Sequence, residues 1–458
     1  MPRERFFLEL EPPTEALRGR PHVVIVGGGF AGLAACKALA GADLRVTLID
    51  KRNYNLFQPL LYQVSTGLVA PGDVTVPLRL LVGGQRNVQV LMGEVKEIDA
   101  EAKELVFNER RYSYDHLIVA AGSGSSYFGH DEWQTIAPPM KQLEDALEIR
   151  ERLLLAMEEA EQTPEAGKRR LLQSVVVVGG GPTGCELAGS VSELLRHALA
   201  RDFRQLEPGD TRILLVDPGD RLLRGMHPDL GAGARRFLES IGVEVLLGGR
   251  VKAIEPGRVT ISTAAGEQVR EAATVCWTAG VKASPLGARL AEATGVPLDR
   301  GGRVPVEADF CVPGHPEIRV VGDLCAYVPS PGASPLPGLA SVAVQMGRWV
   351  ARDLRAGLEG RSQAPFRFVD FGSMAMLGRL HAEADLRGWR VDGPLGWLIW
   401  GVAHLGFMPA NENRMSLLIK WLWAIAARQR GSLLIMGEPC FEEAMALSPA
   451  PKDPGCSA

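Results

Sequence analysis

The chain has 458 residues, 46% hydrophobic and 23% charged, which suits two or three cored domains and excludes an intrinsically disordered chain. Fifty basic residues against 54 acidic ones give a formal net charge of -4, so no nucleic acid partner is expected, because phosphate binding calls for a basic surface. Seven cysteines, at 36, 185, 276, 311, 325, 440 and 456, form no C-x-x-C pair and suit a reduced cytoplasmic protein.

Residues 1–20 carry acids and prolines without the apolar core of a signal peptide, and read as a loose leader. Val23 to Val26 is continuously apolar and β-branched, as a strand covered on both faces should be. Gly27, Gly29 and Gly32 then fill a G-x-G-x-x-G pattern opening a helix, through Ala31. The first glycine allows a tight turn, the second admits a pyrophosphate to the helix N-terminus, and the third lets helix and strand pack closely. Asp50 ends the next apolar run, where its carboxylate can accept from a ribose. An irregular stretch, 51–63, follows. Short β-type runs occupy 86–119, and a charged helix about 141–162.

The opening pattern then returns. Ser174 to Val178 reads as a strand, Gly179, Gly181 and Gly184 match the glycine template, and Pro182 and Thr183 open a helix. Asp217 ends the next strand, 211–217. A carboxylate there favours the ribose hydroxyls of NADH over a 2′-phosphate, with Arg221 and Arg224 close by to soften the preference. Residues 272–281 read as a strand running back to the first domain, and 318–324 as a strand ending in Gly-Asp. Residues 328–338 are loop and 340–357 helical, and composition shifts near 365. Two complete nucleotide units imply two dinucleotides: a flavin held permanently and a nicotinamide cofactor that comes and goes.

Gly27 to Gly32, the run Asp50-Lys-Arg-Asn-Tyr-Asn-Leu-Phe-Gln-Pro-Leu-Leu-Tyr-Gln63, Gly179 to Gly189, Trp277 to Val281, Gly322-Asp323 and Leu336 to Gln345 together resemble a type II NADH:quinone oxidoreductase, over about 21–430. The resemblance implies an α/β fold of two Rossmann-like dinucleotide-binding domains, flavin disulfide reductase-like, plus a C-terminal amphipathic helical membrane-anchoring region. The implied layout is an FAD-binding domain of 21–125 and 305–364, an NADH-binding domain of 126–304 and a membrane-association region of 365–458. FAD would lie on the first glycine unit with Asp50, Lys51, Val95, Ala121, Gly122, Gly322 and Asp323. NADH would lie on the second with Asp217, Ala279 and Gly280. Glu186, read as a first-turn glutamate of its helix, would relay a proton or orient the ring near the flavin. Gln345 would act with Gln58, Tyr62, Gln63 and Ser341 at the quinone end. Many members carry a second glutamine at the position of Ser341, and a lysine at that of Phe371.

Near the C-terminus, 395–408 is apolar but too short to span a bilayer. Along 414–430, Ser416 and Lys420, with Asn413 just before, trace a narrow polar stripe on an otherwise apolar helix. Trp421 and Trp423 suit a membrane interface, and Arg428 and Arg430 suit anionic headgroups. The expected protein is therefore peripheral, on the cytoplasmic face of the inner membrane, with a homodimer possible. His404 has no second histidine at helical spacing, so no metal is expected. Cys185, Cys276 and Cys325 are the candidates for a rival sulfide- or thiol-linked flavoprotein; each also fits as an inert core thiol. A flavin redox sensor with a decayed acceptor site is a second rival.

Overall fold

The computed structural model describes residues 17, 19–198, 202–207, 209–427 and 430–436. Most of the expected leader, Arg428, Cys440, Cys456 and the end of the expected membrane region lie outside the described residues. The chain forms two compact units, each discontinuous: 1–55, 76–124 and 282–370 in one, and 56–75, 125–281 and 371–458 in the other.

The first unit is built on a six-stranded sheet. Its order is Cys311–Val312, His315–Val320, His116–Val119, His22–Val26, Arg45–Asp50, Val88–Met92. All pairings are parallel except that of Cys311–Val312 with its neighbour. His22–Val26 is buried throughout, as its unbroken apolar run requires. The chain leaves this strand for Arg45–Asp50 on one side and returns to His116–Val119 on the other, so its carboxyl end is a topological switch point, where open α/β sheets bind ligands. The Phe30–Ala38 helix packs against the Ala340–Leu358 helix at Gly347, where a Cβ would stand 2.1 Å from the Ala31 carbonyl oxygen.

The second unit repeats the plan with a four-stranded parallel sheet, in the order Val243–Leu247, Arg212–Asp217, Ser174–Val178, Thr274–Trp277. Of the expected strand 272–281, Thr274–Trp277 is extended and pairs beside Ser174–Val178, as its fully buried, largely apolar side chains demand, and the chain rejoins the first unit at Lys282. The composition shift near 365 opens an antiparallel sheet of Ser373–Gly378, His381–Leu386 and Trp389–Val391. It docks on the Pro228–Ser240 helix along a stripe four residues apart. There Asp229 pairs with Arg390, Gly233 leaves room for Glu383, and Phe237 stacks on His381 with ring centroids 3.8 Å apart.

Two further helices, Gly393–Phe407 and Asn411–Ala427, complete this unit. Among the described residues no helix is long and apolar enough to cross a membrane. The polar stripe points inward rather than to solvent. Asn413 Nδ2 donates to the carbonyls of Gly72 and Asp73, at 2.8 and 2.9 Å. Ser416 Oγ donates to Asp73 Oδ1 at 2.6 Å, and Lys420 pairs with Asp73 Oδ2. Ile419, Leu422 and Trp423 are turned outward, 55–62% exposed.

Candidate cofactor and acceptor sites

In the first unit, Gly27 has φ +103° and sits against the neighbouring strand; a Cβ there would come within 2.3 Å of the Ala120 carbonyl oxygen. A Cβ on Gly32 would lie 1.8 Å from the Gly27 carbonyl oxygen, so helix and turn touch backbone to backbone. Gly29, by contrast, faces open space, and as N-cap of the Phe30–Ala38 helix it offers no side-chain cap. The first turn carries no acidic residue, so the helix dipole and amides are left for an anion. Asp50 Oδ2 accepts from Gly28 N–H at 2.6 Å, which ties the strand end to the turn. Asn55 Nδ2 donates to the Gly28 carbonyl at 2.8 Å, a buried contact that sequence reasoning missed.

Gly322 has φ +74°, and its missing side chain lets the Gly322–Leu324 turn approach Ala31. Asp323 Oδ2 accepts from Ser123 Oγ at 2.7 Å, beside Ala121 and Gly122 on the exit of the His116–Val119 strand. Val95 is buried, and Lys51 is exposed. An open helix N-terminus with a carboxylate at each of two strand ends, Asp50 and Asp323, has the chemistry a dinucleotide such as FAD requires.

The second unit has the same architecture. Gly179 has φ +115°, with a Cβ position 2.8 Å from Thr278 Oγ1, and Gly184 would collide with the Gly179 carbonyl at 1.7 Å. Gly181 faces open space at the N-terminus of the Pro182–Glu193 helix, which has no acid in its first turn; Pro182 is exposed and Thr183 half-buried there. The Asp217 carboxylate accepts from Gly180 and Gly219 N–H, both at 2.7 Å, and lies 3.4 Å from Arg224 Nη2. Arg221 instead donates to the Arg224 and Met226 carbonyls. Gly280, φ +76°, follows half-buried Ala279; the Phe128 ring and the Ser126 carbonyl crowd its Cβ position at 2.7 Å.

Glu186 is not in the first turn. It lies in the second, five residues beyond the Gly181 N-cap, so dipole and capping do not explain it. Its side chain is buried, and Oε1 accepts from Met376 N–H at 3.2 Å. Burial holds its carboxyl well above the usual carboxylate range. Buried Tyr62 is likewise raised, by burial first and by the nearby Glu186 charge second. Gln63 is fully buried: Nε2 donates to Tyr62 Oη at 3.1 Å and Oε1 accepts from Trp421 Nε1 at 2.8 Å. Gln58 is half-buried on a 3₁₀ turn, Gln58–Leu60. These residues belong to the second unit. Ser341 and Gln345 belong to the first, one turn apart on the Ala340–Leu358 helix.

The candidate thiols do not fit redox chemistry. Cys185, Cys276 and Cys325 are buried, and burial pushes each away from the thiolate, Cys276 up to about 12. His404 donates from Nδ1 to the Trp400 carbonyl at 2.8 Å and stacks on its ring.

Residues 21–347 match the family model described as pyridine nucleotide-disulphide oxidoreductase. The type II NADH:quinone oxidoreductase Ndh of Mycobacterium tuberculosis is 40% identical over 439 residues, 94% of each chain. The chain belongs to this family, as a type II NADH:quinone oxidoreductase. A second such protein of that organism, NdhA, is 42% identical over 93% of this chain and 92% of its own. Among solved structures, NDH2 from Plasmodium falciparum in complex with NADH superposes with a TM-score of 0.82 at 18% identity, over 88% of this chain and 98% of that one. The sulfide:quinone oxidoreductase of Aquifex aeolicus shares the fold at a TM-score of 0.65 and 20% identity, over 86% and 92%. The family thus combines the fold of disulphide reductases with quinone chemistry, consistent with its inert thiols here.

Proposed function

We propose that this protein oxidises NADH and reduces a membrane quinone through FAD, without pumping protons. Bound FAD supplies the redox chemistry, accepting hydride and passing on two electrons. The protein's share is placement. Gly27, Gly29 and Gly32 open a helix end to the FAD pyrophosphate, while Asp50 and Asp323 take ribose and ribityl hydroxyls. Gly181, Gly184 and Asp217 hold NADH, and Asp217 disfavours a 2′-phosphate. Glu186, whose carboxyl burial raises well above the usual carboxylate range, would carry a proton for the acceptor side. The observation that carries this reading is the duplicated turn, in which a strand-terminal aspartate receives a glycine N–H in both units: Asp50 from Gly28 and Asp217 from Gly180. Anaerobic NADH titration of the purified protein tests it: bleaching of a flavin that chromatographs as FAD is expected, and no bleaching contradicts it.

The outward apolar face of the Gly393–Phe407 and Asn411–Ala427 helices supports a membrane-surface role. Leu398, Val402, Ile419, Leu422 and Trp423 are among its exposed members. Such a face lies in the interfacial plane without spanning. On the inner membrane this would be the cytoplasmic face. Because the inward faces of these helices carry Asn413 and Trp421 contacts, point changes test the idea better than truncation. Ile419→Glu with Leu422→Glu is expected to release the protein from phospholipid vesicles while NADH still bleaches the flavin. Retained vesicle binding would place the contact elsewhere.

A further inference from the structure

The seam between the Leu61–Ser65 and Pro182–Glu193 helices is buried yet polar. Glu186, Ser190 and Glu193 are spaced four and three, so they share a helix face. Tyr62 and Thr66 stand opposite. The Thr66 hydroxyl donates to the Tyr62 carbonyl at 2.8 Å, so Ser190 Oγ supplies the proton of the 2.7 Å contact between the two hydroxyls.

Arg430, which as a sequence suited a lipid headgroup, closes the end of this seam. Its side chain is only 6% exposed. Nη1 donates to the Thr66 carbonyl at 2.8 Å and Ser190 Oγ at 3.4 Å. Nη2 donates to the Ser190 carbonyl at 3.2 Å and Glu193 Oε2 at 3.3 Å. The tail behind it is held from two sides. Ser432 N–H donates to the Gly67 carbonyl at 3.2 Å, and Arg150 Nη1 donates to the Ser432 carbonyl at 3.1 Å. Leu433 packs so close to Gly67 that a Cβ there would lie 2.4 Å from it.

The geometry points to Arg430 as a positioning residue for Glu186: its guanidinium clamps the Ser190–Glu193 end of the helix onto Thr66 and keeps water out of the seam that encloses the Glu186 carboxyl. The inference rests on Glu186 serving the acceptor side, as proposed above. Around that carboxyl, Met376 on the Ser373–Gly378 strand donates its N–H, and Tyr62 from the Leu61–Ser65 helix and Cys185 from its own helix are close enough to couple to it electrostatically; Arg379 N–H turns instead to Glu193, and Arg150 to the Ser432 carbonyl. Among the described residues no cation pairs with Glu186. Burial is the first cause of its raised carboxyl, and the clamp's part is to keep that burial dry.

Infrared titration of the FAD-loaded full chain tests this, with the protonated-carboxyl band of Glu186 identified by its loss in Glu186→Gln. In Arg430→Met the band is expected to titrate about one pH unit lower as water enters. Quinone turnover should fall roughly ten-fold, with KM for NADH and the rate of NADH bleaching within about two-fold of wild type. Arg430→Lys should recover most of both. A band that titrates as in wild type overturns the assignment, as does equal loss of bleaching and turnover. If Arg430→Met does not fold, Glu193→Gln removes one partner and should move the band the same way by less; no movement there also overturns it. A wild-type protein that reduces no quinone contradicts the proposed function, while the infrared result still decides the clamp.

Discussion

Gln345 grips Val369 at both ends of its amide: Nε2 donates to the Val369 carbonyl and Oε1 accepts from the Val369 N–H, each at 2.9 Å. The pair copies a β-ladder contact between a helix side chain and an extended segment. Gln345→Ala breaks both bonds and should cost roughly 1–2 kcal/mol, read from chemical denaturation. If the amide mainly secures this segment, Gln345→Glu, which keeps an acceptor but loses the donor, should be intermediate in stability. Equal stability of all three proteins would show that the grip contributes nothing.

Asp73 gathers three donors, the Ala70 N–H at 2.6 Å, Ser416 Oγ at 2.6 Å and Lys420 Nζ, and its side chain is nearly buried. Asp73→Ala strands them and should cost about 3 kcal/mol. Lys420→Met leaves two donors in place and should cost less, since the lysine is partly solvated. Limited proteolysis checks the order: cleavage after 390 should be fastest in Asp73→Ala.

His22 is neutral. Nδ1–H donates to the Ser113 carbonyl, so Nε2 accepts from Thr47 Oγ1, both at 2.8 Å. Burial first, and Arg45 second, push its pKa down to about 4. An unfolded histidine titrates near 6.5, so between these values the unfolded chain binds more protons and stability falls as pH falls. The loss should reach roughly 3 kcal/mol by about pH 4. His22→Gln should flatten that limb of stability against pH; an unchanged limb would assign the acid sensitivity to other groups.

Asp217 is held by two N–H groups and faces Arg224, which leaves a cation beside the carboxylate. Asp217→Asn should narrow the preference of kcat/KM for NADH over NADPH by roughly ten-fold, as one charge repulsion is removed. Adding Arg224→Ala should restore part of it, because the arginine then no longer attracts the 2′-phosphate. An unchanged preference in Asp217→Asn would place discrimination elsewhere.

Both nucleotide units were legible because their signals are local. Gly27, Gly32, Gly179 and Gly184 are required by backbone contacts within one turn and its adjacent strand. The polar stripe of Asn413, Ser416 and Lys420 was also legible, but not its direction, since its partner Asp73 lies 340 to 347 residues away. Arg430 misled for the same reason: a basic residue after an apolar helix reads as a headgroup ligand until Thr66 and Ser190 close on it. The Ser373–Leu386 hairpin escaped notice because its strands are short and lack strict alternation, and its stability comes from the Pro228–Ser240 helix. Glu186 lies a turn deeper in its helix than the glycine pattern suggests, because the third glycine of the pattern lies inside the helix rather than before it.

The most direct test is a two-step spectrum on one anaerobic sample. NADH should bleach the flavin absorbance, and a short-chain quinone should then restore it, in Cys185→Ser as in wild type. Flavin that stays bleached with every quinone, or bleaches with sulfide and not with NADH, would contradict the electron path proposed here.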